Sequence, residues 1–232
     1  MSSADLLAFG MDTGADTAVF SAYRSALTLS PAHYATYNDL HRLHQLVLNG
    51  YGSMTSKPIT GRVLFATARD NPTRTRTTGR LMTGMPHRIL TQSPTPPDWN
   101  PLIEAKILTK ADTDHIEQRW TTGARAQIRL IACPLVHDHD SGKLLPIGTD
   151  AASGEWLRAK LQRVGLQVAP DEVSVSPSER AEGHEGTIKI TSRTFTAYGT
   201  VTDPPAFTEA LTTGVGKGRA YGYGLLLARP AQ

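Results

Sequence analysis

Apolar and polar residues change their period several times along this chain, and each change marks an element. From Ala18 to Leu29 the two kinds alternate well enough for a strand, which Ser30-Pro31 ends. Thr36 to Leu48 carries a helical spacing instead, with Leu40, Leu43 and Val47 on one face. Thr36 with Asp39 resembles a capping box, and Asn49-Gly50 closes the helix. Arg62 to Ala68 and His87 to Gln92 read as two further strands. Between them Arg69 to Met85, rich in Arg, Thr, Gly and Pro, reads as a long hairpin tip or loop. A proline-rich stretch over 93–101 follows, and Trp99 to Leu108 holds room for a short helix.

The pattern restarts near Gly123. Gln127 to Cys133 is a strand ended by Pro134, and His137 to Gly148 is polar and loop-like. Ser153 is the expected cap of a helix with Leu157, Leu161 and Val164 at helical spacing and Gly165 just beyond. Leu166 to Val175 reads as a strand. Thr187–Ile190 and Phe195–Tyr198 alternate in opposite registers, which implies a bulge over 192–194. Asp203-Pro204-Pro205 opens a last helix, with proline in the turn where a missing N–H costs nothing, and Phe207, Ala210 and Leu211 face inward. A glycine-rich loop and a strand over Gly224–Ala228 finish the chain.

The second half therefore runs strand, helix, strand, strand, helix, strand, and the first half begins the same way. That is the ferredoxin-like order. The expected fold class is α+β, with two tandem ferredoxin-like (βαββαβ) domains over 18–122 and 123–232 behind a weakly structured extension over 1–17.

Composition narrows the classes. At 232 residues with 39% hydrophobic and 19% charged content, the chain can bury cores and is no disordered polyelectrolyte. A net charge of +3 permits nucleic-acid binding without arguing for it. Cys133 is the only cysteine, so an internal disulfide and a cysteine-based zinc site are both excluded. No signal peptide or bilayer-length apolar run is visible, and a cytoplasmic location with no membrane partner is the expectation.

Three groups of residues carry candidate chemistry. In Gly214-Val215-Gly216-Lys217-Gly218-Arg219-Ala220-Tyr221-Gly222-Tyr223-Gly224, five glycines free the backbone and two cations sit among exposed amides, which suits a polyanion. An ordinary turn with incidental surface cations reads equally well. The spacing is not that of a Walker loop, and no helix follows as in a dinucleotide-binding turn. His41 and His44 lie three apart on the expected helix, so both imidazoles project from one side. They are either two solvated helix histidines or a proton-transfer pair. Arg69, Arg74, Arg76, Arg80 and Arg88, with Asp70 as the one acid among them, form either a solvated run or a grip on a phosphate backbone. Arg158, Lys160 and Arg163 offer a second basic surface, although Glu155 shares it. His137, Asp138, His139 and Asp140 alternate like metal ligands but read as a solvated loop; no metal site and no cofactor are expected.

The glycine loop closing in Gly224-Leu225-Leu226, placed after a helix and before a terminal Ala228-Arg229-Pro230, resembles the signature of the CRISPR repeat-processing endoribonucleases. Within them it is most similar to the CasE (Cse3) family of the type I-E system, in the RAMP superfamily. Asp39-Leu40-His41-Arg42-Leu43-His44-Gln45 resembles that family's first helix, where an Asp-Leu-Tyr-x-Leu lead precedes a catalytic histidine. Ile128 to Pro134 resembles the Phe-Arg-Leu-Arg-Ala-Asn-Pro strand of its second domain, and Tyr198 to Pro204 its strand–helix joint. The resemblance runs from about Ala22 to Pro230.

The resemblance implies a metal-independent endoribonuclease. Such an enzyme cleaves CRISPR precursor RNA at a repeat stem-loop by 2′-hydroxyl attack, leaves a cyclic phosphate, and stays bound among the other subunits of a type I-E surveillance complex. It assigns the catalytic histidine to His44. His41 stands where the family often has tyrosine, and Tyr37, a turn earlier, is a candidate substitute. Lys217, Arg219, Gly216, Gly218 and Arg129, with the arginines named above, are then the candidate RNA contacts. The rival reading is a non-catalytic RNA-binding subunit of the same fold, and a third is a small-molecule nucleotide-binding protein using the glycine loop.

Overall fold

A computed structural model describes residues 16–37, 39–52, 62–68, 88–140, 142–183 and 186–231. The arginine-rich stretch with Arg69, Arg74, Arg76 and Arg80 lies outside them, as does most of the expected N-terminal extension.

The first sheet uses β1 (Thr17–Leu29), β2 (Leu64–Ala68), β3 (Arg88–Ser93) and β4 (Leu108–Thr121) in the order β2-β3-β1-β4, all antiparallel. A one-turn α1 (Tyr34–Tyr37) and the longer α2 (Leu40–Asn49) connect β1 to β2, and α3 (Asn100–Glu104) connects β3 to β4. The second sheet takes β5 (Arg125–Ala132) and then, after a two-stranded hairpin of β6 (Leu135–His137) and β7 (Leu144–Pro146), helix α4 (Asp150–Gln162). Short β8 (Leu166–Gln167) and β9 (Val173–Val175) lead to β10 (Glu179–Gly183) and the long β11 (Ile188–Val201). Helix α5 (Pro204–Thr213) and β12 (Leu226–Pro230) complete the order β10-β11-β5-β12. Each sheet thus repeats the strand order second-third-first-fourth with a helix in each crossover, and the double ferredoxin-like fold is present.

The two sheets share one core. Phe20, Ala22 and Trp120 of the first sheet pack with Ile128, Leu130 and Phe195 of the second and with Phe207 of α5. Helix α5 lies between them: Trp120 and Phe207 meet edge to face with ring centroids 5.1 Å apart. Gln92 donates to the Leu211 carbonyl at 2.7 Å and accepts from Arg24 at 2.7 Å. A second core, of Leu27, Leu29, Leu43, Val47, Phe65 and Ile89, fixes α2 on the far part of the first sheet. β1 therefore buries Phe20 and Ala22 on one face and Leu27 and Leu29 on the other.

β11 does the same, which corrects the expected bulge. β11 itself runs unbroken over Ile188–Val201, and the one-residue step falls on its β9–β10 edge, where Phe195 pairs with Val175 and Ser192 with Glu179. Ile188 and Ile190 pack on one side against Leu40 and Tyr223, while Phe195 and Ala197 pack on the other among α4 and α5. The alternation flips because the buried face changes, with no residue inserted in β11.

Four further expectations change. Asp39 alone caps α2, its carboxylate accepting from His41 and Arg42 amides at 2.9 and 3.0 Å, and Thr36 sits back in α1. Thr149 caps α4, whereas Ser153 is inside it and donates to the Thr149 carbonyl at 2.8 Å. Leu166 to Val175 is broken by a 3₁₀ turn at Pro170–Glu172, since proline has no N–H for a ladder. The polar stretch over 137–148 holds the turn and second strand of the β6–β7 hairpin. β4, fourteen residues long, had little sequence signal: it is a sheet edge whose side chains are mostly exposed. Among the described residues no helix is long and apolar enough to cross a membrane.

Candidate active site

Helix α2 is amphipathic, and burial of Leu40, Leu43, Leu46 and Val47 fixes its roll on the sheet. That roll leaves His41 and His44 half-buried along the helix flank that meets the glycine loop. The loop is built by glycine geometry. Gly214, Gly216, Gly218, Gly222 and Gly224 have φ between 77° and 90°, a region that costs any other residue strain. Val215 donates to the Gly224 carbonyl at 2.8 Å, closing the loop at its base, and Gly224 donates to Ile131 at 2.7 Å, tying it to β5. At its tip Arg219–Tyr221 forms a 3₁₀ turn between left-handed Gly218 and Gly222. Gly222 touches the first sheet so closely that a Cβ there would stand 2.7 Å from Phe65 Cε2.

His44 is held between these parts. Its ring lies 6.1 Å from the Tyr221 ring, edge-on at 61°, and shares a hydrogen bond with the Ala220 backbone. Burial, and then the neighbouring charge of His41, hold the imidazole below its ordinary pKa; the Ala220 bond acts in the opposite sense. A bond that favours the protonated ring is one in which a ring N–H donates to the carbonyl.

The two loop cations part company. Lys217 is exposed. Arg219 turns back, its Nη1 donating to the Thr213 and Gly214 carbonyls at 3.2 Å each, where the C-terminal end of α5 concentrates negative charge. Burial and the nearby Arg62 lower its pKa. Gly218 lies against Tyr223 and the buried Cys133, and Gly216 against Trp156. Arg129 is exposed on β5 and shares a shallow recess with Thr67, Ile131, Thr194 and Tyr223, between the edge of the first sheet and the second sheet. Arg88 is exposed at the start of β3, beside Thr28 and Ala68 on the neighbouring strands. Tyr37 ends α1, and its side chain is outside the described residues. On α4, Arg158 is engaged by Glu155 at 2.8 Å and by the Val168 carbonyl at 3.0 Å, and Lys160 stands 5.9 Å over the Trp156 ring. His137 and His139 lie near each other on the hairpin, ring centroids 5.8 Å apart and planes tilted by 58°, and among the described residues no three metal-ligating side chains are grouped to hold an ion.

Sequence reasoning thus brought together His41, His44 and the glycine loop. It passed over Tyr221, although an aromatic between glycines is a visible signal, and Arg62, whose approach to Arg219 no spacing reveals.

A family model described as "CRISPR associated protein" matches residues 22–230. No curated protein sequence matches the chain. Among solved structures, Thermus thermophilus Cse3 bound to an RNA representing a pre-cleavage complex is 22% identical, with a TM-score of 0.76 over 91% of this chain and 100% of that one. Cas6e from Escherichia coli K-12 is 22% identical, with a TM-score of 0.64 over 90% and 100%. A chain of a CRISPR RNA-guided surveillance complex is 17% identical, with a TM-score of 0.61 over 90% and 100%.

Proposed function

The chain belongs to the family of CRISPR-associated proteins, and from that footing we propose that it is an endoribonuclease that cuts CRISPR precursor RNA beside repeat stem-loops without a metal ion. It stays on its product, in the cytoplasm, among the other subunits of a type I-E surveillance complex. The RNA-bound state of one structural relative and the assembly that contains another support this choice of substrate and partners. The observation that carries it is the seat of His44: a half-buried imidazole, fixed by Ala220 and Tyr221 at the tip of the loop and biased toward its neutral form.

A neutral imidazole with one free lone pair is a general base. His44 takes the proton of the ribose 2′-hydroxyl. The 2′-oxygen attacks the adjacent phosphorus, the bond from phosphorus to the 5′-oxygen breaks, and a 2′,3′-cyclic phosphate and a 5′-hydroxyl result. His41, three residues before His44 on the same helix, donates the proton that the leaving 5′-oxygen takes up. Lys217 offsets charge developing on the phosphate, and Arg219 holds the loop in shape. Arg129, Arg88 and the arginines over 69–80 contact the stem by its phosphates and shape, because the A-form major groove hides base edges.

The test is a labelled repeat hairpin incubated with the protein in excess chelator, beside the same hairpin carrying a 2′-deoxy residue at the cut position. The enzyme cuts the first and only holds the second. Holding both uncut identifies the non-catalytic RNA-binding subunit.

A further inference from the structure

We propose that Gly183, at the end of β10, is a positioning residue for His44: the second sheet delivers it as a stop against the first turn of α2, which sets how deeply the helix seats beside the glycine loop. This rests on the role given to His44 above.

The contact is unusually close. A Cβ on Gly183 would stand 2.9 Å from Leu40 Cβ, 3.0 Å from the Leu40 amide nitrogen and 3.2 Å from the His41 amide nitrogen. None of these atoms is the far end of a flexible side chain, so none can swing aside. Nor does backbone conformation explain the glycine, because Gly183 is not among the positive-φ residues. Space alone forbids a side chain here. The neighbouring geometry says what the space is for. Ala181, two residues earlier on the same face of β10, packs in one buried cluster with Leu40, Cys133 and Tyr223, and Tyr223 belongs to the glycine loop. Gly183 is paired with Ile188 of β11, and Ile188 packs on the same cluster. One face of β10 therefore abuts the helix that carries His44 and the base of the loop whose tip receives it. His44 stands a turn beyond Leu40, with Ala220 and Tyr221 against its ring and His41 as its charged neighbour. A methyl at position 183 tilts or lifts α2 by several tenths of an ångström, and His44 moves with it.

The experiment uses the full chain with Gly183→Ala, and with Ala181→Gly as a milder loosening of the same contact. Two readouts are taken on each folded variant: the single-turnover cleavage rate and affinity for a repeat hairpin, and the NMR pH titration of the His44 ring, assigned with His44→Gln. Gly183→Ala should cut about threefold to tenfold more slowly, less than the roughly hundredfold loss that a 1 Å misplacement brings, with affinity within about twofold. Its His44 should titrate closer to an ordinary histidine. Ala181→Gly should shift both in the same direction by less. A His44 titration unchanged in Gly183→Ala overturns the proposal whatever the rate does; where that variant does not fold, an unchanged titration in Ala181→Gly overturns it. The titration needs no RNA, so it decides the positioning role even if the wild-type chain cuts nothing, which would instead sink the proposed activity.

Discussion

The His44 ring meets the Tyr221 ring edge-on, at 6.1 Å between centroids, although the first belongs to a helix on one sheet and the second to a glycine-bounded turn ahead of the other sheet's last strand. The site is a junction, and substitutions on either side of it should separate chemistry from binding and from stability.

Removal of the imidazole should abolish most cleavage and little binding. General acid–base groups contribute about 10²- to 10⁴-fold, so His44→Ala should lose that much in single-turnover rate while holding the hairpin as wild type does. His41→Ala should lose less. A His44→Ala variant that cuts at the wild-type rate removes His44 from the mechanism.

The rate should fall on the acid side at a pH below the ordinary histidine value of about 6.5, because burial and His41 both disfavour the charged His44. His41→Gln removes one of these causes and should move that acid limb upward. Stability follows the same sign. With its folded pKa lowered, His44 contributes stability present above the unfolded value and lost as pH falls through the folded one. Melting temperatures between pH 8 and 5 should therefore fall more steeply for wild type than for His44→Gln.

Lys217 and Arg219 should behave as different kinds of residue. Lys217→Ala should weaken repeat binding, lower the slope of log affinity against log salt by about 1, and leave the melting temperature alone. Arg219→Ala removes two charge-assisted bonds to the end of α5 and should destabilise the fold by about 1–3 kcal/mol in denaturant unfolding. An Arg219→Ala variant as stable as wild type would mean that the brace carries no weight.

Gly222→Ala and Gly123→Ala start from similar φ, 86° and 84°. The added methyl meets nothing within 4 Å at Gly123 and Phe65 at 2.7 Å at Gly222. Gly123→Ala should cost about 1–2 kcal/mol of backbone strain, and Gly222→Ala more, with cleavage lost in addition. Equal losses in the two melts would show that Phe65 yields freely.

What the sequence discloses depends on whether a local period survives assembly. Leu40, Leu43 and Val47 kept theirs, so α2 and the side on which His41 and His44 project were readable. The five glycines were readable as a loop, but their reason was not: they close the loop on itself and let Gly222 press against Phe65, and at those contacts no RNA is needed to explain them. β4 was hard to see because most of its side chains are exposed, and alternation shows only over its last six residues, 116–121. β11 was misread because one straight strand serves two cores in turn, which alternation alone mimics with a bulge. Arg219 reads as a free cation in the sequence and is a brace in the fold, since the carbonyls it binds belong to a helix end that only tertiary structure brings back to it.

Helix α5 has one more implication, for the nascent chain. Phe20, Ala22 and Trp120 emerge from the ribosome early, yet the surfaces that dry them belong partly to residues 204–213. Domains ordinarily fold in the order of their synthesis. A chain cut off before residue 204 should therefore leave Phe20, Ala22 and Trp120 partly wet, and stronger binding of a hydrophobic dye to it than to the full chain checks this.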